Sequence, residues 1–169
     1  MSSILNDGKL PAGFKSPFTR VPMEGTHDDQ LACIATLTGK TLANVKAAAH
    51  LLGLPANGPF WVDDAMVQKL LWNLSDLMAS DWIELTCRPQ LPDVAILCVD
   101  FNPETEIGRH VVHHNVKGLA GVQPFGYVID VGNWVDPKRQ ITTDTSGLKL
   151  SPSWYREISR RPGTGNKPK

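Results

Sequence analysis

The chain has 169 residues, a formal net charge of zero, 41% apolar residues and 20% charged residues. That length suits one domain with a full core, and the neutral balance offers no basic surface for phosphate backbones or anionic membranes, which argues against a nucleic-acid or membrane partner. Three scattered cysteines, Cys33, Cys87 and Cys98, make neither a disulfide framework nor a zinc site.

The first residues lack a basic start followed by an apolar run, and no apolar run approaches the roughly 20 residues of a membrane span. The expected location is cytoplasmic, or outside the cell by a route that uses no classical signal peptide. Residues 1–25 carry Pro11, Gly13, Pro17, Pro22 and Gly25, which predicts an extended arm with little regular structure. Phe14, Phe18 and Val21 are its candidate anchors. Residues 26–159 then form the domain, and the tail 160–169, RRPGTGNKPK, has the composition of a disordered segment.

Within the domain, Asp28 is a good N-cap type for a first helix that stops before Gly39. Thr41 caps a second helix through about Leu52, with Leu42, Val45, Ala49 and Leu52 on one stripe. Asp63 caps a third helix containing Val67, Leu70, Leu71 and Leu74. The back half changes character. Residues 82–85 are a weak strand pattern, and 93–101, DVAILCVDF, is a continuous apolar run that suits a buried central strand. Residues 109–116 and 126–131 read as an antiparallel hairpin, a short strand falls near Ile141, and 151–159 reads as a last helix or strand. Helices first and an antiparallel sheet afterwards is an α+β pattern.

The chemistry-bearing residues fall in three places. Cys33 lies in the first helix, where a helix N-terminus favours a thiolate. His110 is near the start of one hairpin strand and Asp130 at the end of the next, so that the carboxylate could orient the imidazole as base. Asn133 and Asp136 are the fallback orienters. Gln30 and His27 are candidate oxyanion donors beside the Cys33 backbone N–H. His113 and His114 raise a metal site, but no Cys or carboxylate stands at metal-ligand spacing, and the chemistry uses no cofactor.

The segment DDQLACIATLTGKTLANV resembles the first motif of papain-fold cysteine peptidases of the bacteriocin-leader-processing type and their phage-like relatives, D-C-G-x-A-x-L-A-x-L-x-G-x-x-x-x-x-V. Asp28, Ala32, Ala35, Leu37, Gly39 and Val45 match it. His110-Val111-Val112 and Val128-Ile129-Asp130 are similar to that family's H-x-V and I-x-D-P. The resemblance implies a papain-like fold and a cysteine hydrolase acting on an amide bond: a peptidase, glutamine deamidase or peptidoglycan amidase with a peptide or protein substrate, in a bacterial effector or prophage product. In this register the nucleophile falls on position 29, where this chain has Asp29, and Cys33 lies one helical turn later. The family's oxyanion glutamine lies about six residues before the cysteine, which is Met23 if the nucleophile falls on position 29 and His27 if it is Cys33, so neither register restores that glutamine. Two expectations stand: Cys33 is the nucleophile of a Cys33–His110–Asp130 site, or Cys33 is core and Asp29 marks an altered site in a module that binds a peptide or partner protein without catalysis.

Overall fold

The computed structural model describes residues 7–163. Three helices, α1 (Asp29–Thr38), α2 (Leu42–Leu51) and α3 (Asp64–Leu74), precede all the strands among the described residues. Their ends follow local chemistry. Gly39 closes α1 at φ 68°, a left-handed conformation that glycine adopts without a Cβ penalty. The Thr41 hydroxyl accepts from Asn44 N–H at the start of α2, and the Asp63 carboxylate accepts from Met66 N–H at the start of α3. Asp28 occupies the cap position of α1 but turns its carboxylate backward. It accepts from Glu24 and Gly25 N–H and meets the Lys46 ammonium at 3.0 Å.

The strands are β1 (Leu77–Ala79), β2 (Ile83–Glu84), β3 (Val94–Asn102), β4 (Ile107–Val116), β5 (Phe125–Asp130), β6 (Ile141–Thr142) and β7 (Trp154–Arg160). They form an antiparallel sheet in the order β1-β7-β3-β4-β5-β6, with β2 also on β7. The segment expected as a last helix or strand is therefore strand β7, and it makes β3 an interior strand. A short helix, α4 (Pro137–Gln140), connects β5 to β6. Of the expected tail, Arg160 ends β7, and residues 164–169 lie outside the described residues, as do residues 1–6 of the arm.

Period-2 alternation sorts the sheet into two faces. Ile96, Val112, Ile129 and Ile158 pack under α1, α2 and α3 in one core. Leu97, Val99, Val111 and Val128 point the other way into a smaller cluster with Leu91 and Tyr155. Residues 7–28 contain no helix or strand. They lie against β5: Phe14 meets Phe125 and Tyr127 edge-on near its start, and past its end Arg20 donates to the carbonyls of Asp130 and Gly132 and Met23 N–H donates to the Val131 carbonyl.

The helix-side core carries the fold. Ile129→Ala, at a fully buried position, is expected to cost about 2–5 kcal/mol in urea unfolding. Asp63→Ala, which removes only a cap, costs about 1 kcal/mol. Equal losses would contradict this ranking.

Candidate functional site

The N-terminus of α1 points a carboxylate at the sheet. Asp29 is the first residue of α1, and its Oδ2 accepts from both the backbone N–H and the ring Nδ1 of His110, each at 2.8 Å. Both side chains are largely buried, at 17% and 13% exposure. Burial alone would push Asp29 up, but the His110 hydrogen bond and charge outweigh it and hold the carboxyl below its ordinary value. Burial likewise pulls His110 down, and the Asp29 hydrogen bond, the Cys98 side chain and the Asp29 charge reverse that, raising it to about 9. The imidazole is thus a cation at neutral pH, with Nδ1 committed to Asp29.

Cys98 is the second partner. It faces His110 directly across the β3–β4 pair, so both side chains stand on the helix side of the sheet. Its thiol lies over Gly108: a Cβ built there would come within 2.6 Å of Sγ. Glycine at 108 therefore keeps the space that the sulfur occupies. Trp82 packs against the His110 ring with centroids 5.6 Å apart, and the buried Arg156 guanidinium stacks on Trp82 at 4.3 Å.

Two cavities meet at His110. One, of about 330 Å³, includes Asp29, His27, Phe60, Arg109 and Trp134. The other, of about 520 Å³, includes Cys98, Trp82, Phe101 and Trp154. Gln30, Trp61, Ile107, Gly108 and His110 line both. Trp61 is 77% exposed and Trp134 63%, so the cleft presents uncovered aromatic rims. The Gln30 side-chain amide donates to the Val62 carbonyl at 3.2 Å, which fixes its orientation in the cleft.

Other expected site residues stand elsewhere. Cys33 is sealed in the core with no exposure, and burial, with the Asp29 and Asp130 charges, pushes its thiol well above its ordinary value. A thiol so placed is a poor nucleophile, so the expected role of Cys33 is corrected. Asp130 does not orient His110. It pairs with Val111, one residue on, and in a strand that single step places it on the opposite face. There it holds Arg109, whose Nη1 reaches both Asp130 oxygens at 2.7 and 2.8 Å and whose Nε reaches Asp100. Of the fallback orienters, Asn133 donates to the Glu24 carbonyl and Asp136 caps α4. Neither bonds the imidazole. Gln30 and His27 do reach the cleft, His27 on one side only.

No protein-family model matches the chain, and no match was found among curated proteins.

Asp29 is the residue that the motif placed in the nucleophile's position and that local patterns left without a role. Cys98 was missed as well, although a signal existed: the Asn-Pro-Glu-Thr turn at 102–105 closes β3 onto β4 and sets Cys98 opposite His110. Among the described residues no group of three or more His, Cys, Asp or Glu could hold a metal ion, and no helix is long and apolar enough to cross a membrane.

The titration of the site gives a pH signature. The His110 contribution to stability is complete below the unfolded value of about 6.5 and is lost as pH rises through about 9. Asp29, lowered by the same pairing, contributes above the unfolded value of about 4 and loses this as pH falls through its folded value. His113 acts oppositely: burial, with His114 and Arg88, lowers it to about 4, so its neutral form stops favouring folding as pH falls below about 6.5. Urea midpoints should therefore decline from about pH 6.5 toward 9. His110→Gln should flatten that alkaline decline, and an unchanged decline in the variant would show that the charged pair is not its source.

Proposed function

We propose that the chain is a cysteine hydrolase that cleaves an amide bond, with Cys98 as nucleophile, His110 as acid and base, and Asp29 as the residue that orients the imidazole. The single observation that carries this reading is the Asp29–His110–Cys98 alignment at the meeting of two cavities. The order of roles along the chain is Asp, Cys, His. It differs from the family motif, in which the cysteine opens the helix, but the chemistry is the same, because such a constellation is defined by geometry and role.

In this mechanism the imidazolium of His110 supports a thiolate at Cys98. The thiolate attacks the substrate carbonyl carbon, forming the C–S bond. The developing oxyanion accepts from the Gln30 side-chain N–H, which lines both cavities. His110 gives its proton to the departing nitrogen as the C–N bond breaks, leaving a thioester and an amine. Water then attacks the thioester while His110 takes a proton from it. The C–S bond breaks, releasing the acid and restoring the thiolate–imidazolium pair. Asp29 keeps Nδ1 occupied throughout, so that proton traffic runs at the other ring nitrogen. A peptide or protein substrate fits an open cleft with two exposed tryptophans on its rims. The layout of three helices against an antiparallel sheet is compatible with a papain-like fold.

The second reading is a peptide- or partner-binding module without catalysis. Asp29 favours it, since a carboxylate stands where the motif has a thiol. Cysteine labelling separates the two. At about pH 6 an ordinary thiol is less than about 1% thiolate, so iodoacetamide should modify Cys98 on the order of a hundredfold faster than the exposed Cys87. His110→Ala should abolish this preference, Asp29→Asn should weaken it, and Cys33→Ala should leave it intact. Equal, slow labelling of Cys98 and Cys87 would overturn the enzyme reading and leave the binding module.

A further inference from the structure

The sheet has a second concave surface, on the face away from the helices. A cavity of about 520 Å³ opens over β4 and β5, within the range of small-molecule sites. His113, Asn115 and Gly126 form part of its floor. The glycine is required there: a Cβ at position 126 would stand 2.8 Å from both His113 Nε2 and Asn115 Oδ1. Leu91, Leu97 and Leu150 supply an apolar wall. The charged residues among its lining are both cations, Arg88 and Lys117.

We propose that this cavity binds a small organic carboxylate that carries an apolar side chain and an adjacent amide N–H. Three observations define that chemistry. The charge at the rim is positive. Arg88 Nη2 donates to the Thr145 hydroxyl, which places the guanidinium at the cavity. Lys117 meets Asp93 at 3.4 Å, but both side chains are mostly exposed, so the contact leaves the ammonium open to a second anion. Asp93 and Asp144 are the nearby carboxylates, and neither lines the cavity. The apolar wall accepts a branched or aromatic side chain. His113 is 94% buried, and its Nε2 stands over Gly126 on the cavity floor with no hydrogen bond from the protein. Because its ring is neutral at ordinary pH, that nitrogen, with the ring proton on Nδ1, can accept from a ligand N–H but gives no charge to a carboxylate.

One chemistry, an α-amido carboxylate, satisfies all three. It comes from two sources, a free N-acylated amino acid or the C-terminus of a peptide. The inference does not depend on the hydrolase reading, because the site is on the other face of the sheet and uses none of the same residues.

The test is a heteronuclear NMR titration of the full chain with N-acetyl-leucine, N-acetyl-leucinamide, inorganic phosphate and a peptide ending in a free leucine. N-acetyl-leucine is expected to shift the amides of Leu97, Asn115 and Gly126. Its uncharged amide should bind about tenfold more weakly, and phosphate should leave these resonances in place. Arg88→Gln, at an exposed position, should weaken the acid by about tenfold without altering the free spectrum. Gly126→Ala should block it. If Gly126→Ala does not fold, Arg88→Gln alone carries the test. Tighter binding of the peptide than of the free acid assigns the site to a chain terminus, and equal or weaker binding assigns it to the free compound. Equal binding of acid and amide, phosphate acting alone, shifts confined to other residues, no shift at all, or an unaffected Arg88→Gln would each overturn the proposal.

Discussion

A carboxylate at the N-terminus of α1 holds the helical layer to the sheet. Asp29 takes two hydrogen bonds from one residue of β4, one from the backbone and one from the ring, and its own charge sits where the helix dipole favours an anion. Burying an ion pair costs desolvation, and that cost is offset only when geometry and further hydrogen bonds are good. Here the pair is doubly bonded and capped by Trp82. The turn before it is fixed by Asp28, which ties Glu24 and Gly25 to the helix start and pairs with Lys46. The backbone of the arm, the helix and the sheet thus converge on one imidazole, and the cleft forms around it.

Histidines three residues apart on β4 show how strongly surroundings set charge. His110, against a carboxylate, is held as a cation to about pH 9. His113, on the opposite face and among leucines and cations, stays neutral down to about pH 4. Each is buried; the difference is which partner burial supplies. The two faces of a single strand therefore offer distinct chemistry, one suited to proton transfer and the other to hydrogen bonding without charge.

The helices were legible because their boundaries are local: Thr41 and Asp63 as caps and Gly39 as a left-handed stop are readable from a few residues each. Strands β3, β4 and β5 followed from their apolar runs. The last strand was ambiguous because Trp154 to Arg160 carries Tyr155 and Ile158 among charged residues, a pattern settled only by pairing with β3. The sequence pointed to His110 and Gln30, which both reach the cleft. The burial of Cys33 was not legible, because a cysteine near a helix start gives no sign of which way it faces, and neither was the face of Asp130, because choosing a face needs the register to one residue. Asp29 had been marked as an anomaly by the motif, but its bond to His110 spans 81 positions of sequence, and no local pattern encodes that.

The irregularity in the β3–β4 pair has a consequence for how this hairpin can vary. Cys98 faces His110, yet beyond the shift between Val99 and Asn102 the pairing runs Asn102 to Ile107, one residue out of step. Asp100 absorbs the extra residue at φ 53°, and Arg109 and Lys149 hold it there. The bulge works as a slip joint between the hairpin tip and the body of the sheet. The tip can gain or lose a residue and be accommodated at Asp100, while the same change nearer the sheet centre would turn the thiol and the imidazole to opposite faces.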